Sequence, residues 1–269
     1  MTTSSRILRT AAAAVLALCL PVGFAAAPAM AAKPAPVVYD ALGDSYGSGY
    51  GVPPYLDACG RSAAAYAVQI DGRMRIELDD FAACAGATTA GLLATQLTAL
   101  DATTSLVTLS IGGNDIRWGD VVGACVTQGD LACAGAVQAT TGVIRNVLPG
   151  LLHSTYAQVA AAAPNAHVVV TGYPRLFSPE YGSYLAASPA EQQAMNDGAD
   201  LLNSVIADVA HQHGFQVVDG TRRFLDHGVN APEPWLLGLS DPGRFHPNVD
   251  GYEAYAAAVT SSVNPRDLR

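Results

Sequence analysis

Short apolar runs, each closed by glycine or a turn and each followed by helical spacing, recur along this chain. The first is Val37 to Gly43. Met74 to Phe81 alternates loosely, Ser105 to Ile111 ends at Gly112-Gly113, His167 to Thr171 is broken by Gly172-Tyr173-Pro174, and Phe215 to Val218 ends the series. The intervening patterns predict helices over 61–70, 89–100, about 134–162, 189–212 and 249–263, with a polar loop at Cys125–Cys133. Leu92, Leu93, Leu97 and Leu100 make the apolar stripe of the second helix. Strands alternating with helices predict a three-layer α/β/α sandwich with a mainly parallel sheet. A composition 50% hydrophobic and only 14% charged suits one large core.

The first thirty-odd residues read differently. Arg6 and Arg9 precede an apolar run, Ala11 to Leu20, and a small-residue stretch containing Ala29-Met30-Ala31 follows. This is the layout of a signal peptide over residues 1–31, which places the protein outside the cell. The run is too short for a permanent membrane helix. Leu18 before Cys19 is too bulky for a lipoprotein anchor. No other segment reads as membrane-spanning, and residues 32–269 read as a single domain, expected to be a monomer. Losing two arginines and no acids moves the formal charge from −9 to −11. That balance argues against nucleic acid or anionic membranes as partners held by charge.

Cleavage leaves Cys59, Cys84, Cys125 and Cys133. An even count in an exported chain reads as two disulfides. Three pairings exist, and order along the chain favours Cys59–Cys84 and Cys125–Cys133. The cysteines lack metal-ligand spacing, and His211-x-His213 near a helix end reads as a solvated or capping pair. Neither a metal nor an organic cofactor is expected.

In a parallel sheet, ligands meet the loops beyond the carboxyl ends of the strands. Four such loops carry Ser45, Gly86, Asn114 and His246. Singly, each is ordinary turn, cap or packing chemistry. Together they supply a nucleophile, a base and two oxyanion donors in a workable order.

The chain resembles the SGNH or GDSL hydrolases on four blocks: Ala41-Leu42-Gly43-Asp44-Ser45-Tyr46, then Gly86, then Gly112-Gly113-Asn114-Asp115, and last His246 before the C-terminal helix. The match runs from about Val37 to the end, and export with this cysteine spacing is similar to the secreted actinobacterial lipases and esterases. The resemblance implies a flavodoxin-like sandwich and a hydrolase of carboxylic esters. Ser45 would attack the carbonyl and His246 would act as base, then acid. The N–H groups of Ser45 and Gly86, with the Asn114 amide, would hold the oxyanion.

One position departs from the family. An aspartate usually stands three residues before the histidine, and here that residue is Gly243. A main-chain carbonyl of Gly243 or Arg244 is expected to orient His246, with Asp241 the lesser alternative. Gly43-Asp44-Ser45-Tyr46-Gly47 also fits the Gly-x-Ser-x-Gly turn of α/β-hydrolases, but those place several strands before the nucleophile, against one here. Runner-up readings are phospholipase A-type cleavage, deacetylation of sugars, a peptidase, and a non-catalytic secreted binding protein on the same scaffold. The Tyr46/Tyr50/Tyr55 loop and the aromatic 173–185 loop either line an acyl site or simply pack the surface.

Overall fold

The computed structural model describes Met1, Thr2, residues 35–264 and Leu268. The leader expected over residues 1–31 falls, apart from Met1 and Thr2, outside the described residues. Everything below concerns the unit from Ala35 to Arg269.

Five parallel strands form one sheet: β1 (Val37–Gly43), β2 (Ile76–Phe81), β3 (Leu106–Ser110), β4 (His167–Thr171) and β5 (Gln216–Val218). Their order is β2-β1-β3-β4-β5. All five residues of β3 are buried, as a strand covered by helices on both faces must be. This is the flavodoxin-like order. The chain reverses direction across the sheet between β1 and β3, which opens a crevice at their carboxyl ends.

The helices are α1 (Ser45–Ser48), α2 (Tyr66–Ile70), α3 (Thr89–Thr95), α4 (Trp118–Thr127), α5 (Asp130–Asn146), α6 (Leu148–Ala162), α7 (Pro189–Gln212) and α8 (Val249–Ser262). They pack in two groups: α2 with α8, and α3, α6 and α7 with α4 and α5. Sheet and helices together make the three-layer α/β/α sandwich.

Local chemistry sets the boundaries. Helix α7 begins where predicted, because Ser188 and Glu191 form a reciprocal capping box ahead of Pro189. Helix α2 starts five residues later than its pattern suggests. The Ser62 hydroxyl takes the Ala64 N–H and bonds the Val52 carbonyl, and Ala65 is extended at ψ 141°, so the chain turns there instead of winding. The segment expected as a polar loop is largely helical: Cys125 lies inside α4 and Cys133 inside α5. The long helix expected to follow breaks at Val147, one residue before α6, since Pro149 lacks the N–H a continuous helix would use. Helix α3 ends at Thr95, and the next side chain, Gln96, turns inward to bond both N–H and carbonyl of Gly43 at 2.8 Å. Disulfides join Cys59 to Cys84 and Cys125 to Cys133. The first ties the loop after α1 to the loop after β2; the second closes the α4–α5 hairpin.

Candidate active site

Strand β1 delivers Ser45 into the crevice. Gly43 has φ +137°, and a Cβ there would lie 2.5 Å from the Ser110 carbonyl oxygen, so only glycine lets β1 and β3 run this close before the turn. Asp44 then caps α1, its carboxylate accepting the Tyr46 N–H at 3.0 Å. Ser45 is the first residue of that turn, where a backbone N–H has no helical acceptor.

His246 comes from the far end of the chain, two residues before Asn248 caps α8. Its Nε2 is 2.8 Å from Ser45 Oγ. Its Nδ1 is 3.2 Å from the Gly243 carbonyl and 3.0 Å from the Arg244 carbonyl. Carbonyl oxygens only accept, so the ring proton sits on Nδ1, and the bare Nε2 accepts the Ser45 hydroxyl. The carboxylate of Asp241 accepts the Gly238 N–H at 2.9 Å and serves the local turn. Rings of Tyr46, Tyr50 and Trp118 stand 5.2, 5.0 and 5.7 Å from the imidazole. Burial among them pushes His246 down to about 4, against a smaller upward pull from the two carbonyls.

Gly243 explains the missing carboxylate. A Cβ at this position would lie 2.3 Å from Gly51 Cα and 3.0 Å from Leu237 Cδ1. The two backbones pack too closely for a side chain, and the partners of His246 Nδ1 are main-chain carbonyls.

Gly86 and Asn114 lie on adjoining loops. Gly86 has φ +82° and open space where a Cβ would be. One amide hydrogen of Asn114 is spent on the Ala87 carbonyl at 2.9 Å, which leaves its second donor free. Asp115 ties the same loops again, accepting from the Thr89 N–H at 3.0 Å and the Thr89 hydroxyl at 2.6 Å. Two links therefore fix the spacing between Gly86 and Asn114.

A second set of groups carried no periodic signal in the sequence. Asp44 is fully buried and accepts from the Tyr46 N–H, the Ser110 hydroxyl at 3.1 Å and the Tyr173 hydroxyl at 2.5 Å. The Tyr173 oxygen in turn accepts the Gly113 N–H at 3.1 Å. One carboxylate thus connects the Ser45 turn to the Gly112-Gly113-Asn114 turn. Burial pushes Asp44 up to about 6, with its three donors opposing the rise. Gly-Asp-Ser in a sequence advertises a turn, but nothing nearby names Tyr173 as a partner 129 residues away.

Away from the crevice, Asp40, Asp79 and Asp80 bring three carboxylates together. Asp40 is already engaged by the Asp80 N–H and the Thr104 hydroxyl. His213 faces His153, ring nitrogens 3.2 Å apart.

A parallel sheet with a serine–histidine pair at the carboxyl end of its first strand has the arrangement of a serine hydrolase. Residues 41–254 match the family model described as GDSL-like Lipase/Acylhydrolase. The chain is 37% identical to Lipase 1 of Streptomyces coelicolor, over 84% of this chain and 87% of that protein. Among solved structures it is similar to the extracellular lipase of Streptomyces rimosus, at 34% identity and TM-score 0.81, covering 84% of this chain and all of that one. Phospholipase A1 of Streptomyces albidoflavus NA297 is similar at 38% identity and TM-score 0.79, covering 85% and 100%. The class is carboxylic ester hydrolase. The chain belongs to the GDSL-like lipase/acylhydrolase family.

Proposed function

We propose that this chain is a secreted esterase or lipase that works by Ser45–His246 nucleophilic catalysis. The observation that carries the proposal is the 2.8 Å approach of Ser45 Oγ to a His246 Nε2 left bare by the two carbonyls on Nδ1. Ser45 Oγ bonds the ester carbonyl carbon while its proton passes to Nε2. The carbonyls of Gly243 and Arg244 face the imidazolium that forms. The oxyanion takes donors from the Ser45 N–H, the Gly86 N–H and the free Asn114 amide hydrogen. Collapse breaks the bond to the leaving oxygen, which receives the proton from Nε2. Water then repeats the sequence and frees the carboxylic acid.

Export is supported by the leader pattern over residues 1–31, by two disulfides and by the likeness to an extracellular lipase. Phospholipase A-type cleavage is a second reading, favoured by the 38% identity to a phospholipase A1.

The test is hydrolysis of p-nitrophenyl esters from acetyl to palmitoyl and of a diacyl phospholipid, with Ser45→Ala and Asn114→Ala in parallel. The wild type turns over esters, Ser45→Ala does not, and Asn114→Ala loses about 10²–10³ in kcat, the usual cost of one oxyanion donor. Equal turnover by wild type and Ser45→Ala contradicts the proposal.

A further inference from the structure

Beside the crevice, a cleft opens between α4, α5 and α7. Counting the open solvent at its mouth, it spans about 680 Å³. Tyr46, Gly113 and Trp118 form part of its lining. These residues adjoin the proposed machinery: Tyr46 follows Ser45, Gly113 precedes Asn114, and the Trp118 ring is 5.7 Å from His246. Farther along, Ile144 of α5 and Ala194 and Gly198 of α7 form the walls.

Every hydroxyl that lines the cleft is already engaged. Tyr46 donates to the Phe245 carbonyl at 2.6 Å and Tyr173 to Asp44 at 2.5 Å. Thr140 bonds the Ile116 carbonyl at 3.5 Å, and Thr141 the Val137 carbonyl at 2.8 Å. Among the described residues, no charged side chain lines it. Apart from the Trp118 indole N–H, a polar group entering meets no free hydroxyl or charged partner to replace its water bonds, whereas each buried methylene strengthens binding about fourfold. The leaving alcohol has a different neighbourhood, since His246, its proton donor, also faces Tyr50, which stacks on the exposed Tyr55.

Resting on the ester-hydrolase reading above, we propose that this cleft holds an unbranched acyl chain of the ester, and that the bare Gly198 on its α7 wall sets how long a chain it accepts. A Cβ at Gly198 meets no atom within 4 Å, and its backbone is ordinary helix, so α7 accepts a larger residue and the cleft receives it. Leucine at 198 fills space that a long acyl chain needs and an acetyl group does not.

The experiment compares wild type, Gly198→Leu and Ala194→Leu, one helical turn apart. Gly150→Leu serves as control: it is an exposed α6 glycine with equally open surroundings outside the cleft. The readout is the ratio of kcat/KM for p-nitrophenyl dodecanoate to that for p-nitrophenyl acetate, with octyl acetate as the long-alcohol arm. Dodecanoate binding is titrated calorimetrically to the same variants in a Ser45→Ala background, which needs no turnover. The dodecanoate-to-acetate ratio falls at least tenfold in Gly198→Leu or Ala194→Leu and holds in Gly150→Leu, and dodecanoate binding weakens in parallel. An unchanged ratio in both cleft variants, an equal fall in Gly150→Leu, or a change confined to octyl acetate overturns the proposal. If no ester is turned over at all, the ester reading fails by itself. Dodecanoate binding weakened by the cleft variants then still supports the cleft, and binding absent or unaffected overturns it.

Discussion

In the proposed mechanism, the depressed basicity of His246 sets the pH range of activity. An unperturbed imidazole titrates near 6.5, and burial among Tyr46, Tyr50 and Trp118 pushes this one down to about 4. The difference of about 2.5 units corresponds to about 3.4 kcal/mol against the imidazolium in the free protein. Only the neutral ring can take the Ser45 proton, so activity is present above the folded value and is lost as pH falls through it. At pH 5 an ordinary histidine would be about 3% neutral, whereas His246 is about 90% neutral, a roughly thirtyfold difference in competent protein. The assay is kcat/KM for a short-chain ester in a quenched format from pH 3.5 to 8, which reports the free protein. A plateau down to about pH 5 and an acid limb centred near 4 are expected. Asp44, pushed up to about 6, titrates inside this window, so the profile is repeated in Asp44→Asn. An acid limb that stays between pH 6 and 7 in both proteins means that His246 is not depressed in this way, or is not the base.

The tight contact between Gly243 and Gly51 makes residue 243 sensitive to any side chain. Gly243→Ala puts a Cβ 2.3 Å from Gly51 Cα, about 1 Å inside ordinary contact, and the loop that holds both Nδ1 acceptors must move. Activity falls by at least tenfold and Tm drops, and Gly243→Asp recovers neither; kcat/KM and thermal melts decide. Asp241→Asn keeps kcat/KM within about threefold, because Asp241 serves the Gly238 N–H and not the imidazole; loss on the scale of a broken triad contradicts this. Tyr173→Phe strips Asp44 of one donor and orphans the buried Gly113 N–H. The expected cost is about 1–3 kcal/mol of stability, read in urea melts, together with a fall in kcat as the Asn114 turn loosens.

Local chemistry in the sequence was enough to place β1, β4 and α7, since an apolar run ending at glycine, a run broken by Gly172-Tyr173-Pro174, and a capping box are all short-range signals. The parallel sandwich follows from their alternation. Asp44 and Tyr173 were hidden for the opposite reason: their partnership is a contact across 129 residues, and no window of sequence contains it. Gly243 stood out only as a departure from a family pattern; its cause, the touching backbone of Gly51, is equally long-range. The split of α5 from α6 was legible in Pro149 but was outweighed by the alanine-rich helical pattern around it. The apolar cleft was also out of reach, because its walls come from three helices whose pairing is set by tertiary packing.

Covalent labelling decides whether Ser45, paired with His246, is the nucleophile. The purified protein is treated with a p-nitrophenyl alkylphosphonate and the adduct is mapped by peptide mass spectrometry. One equivalent of phosphonyl group on Ser45 is the expected result, matched to loss of ester hydrolysis, with a much slower reaction in His246→Ala. An adduct on another residue, or a fully inactivated protein with Ser45 unmodified, contradicts it.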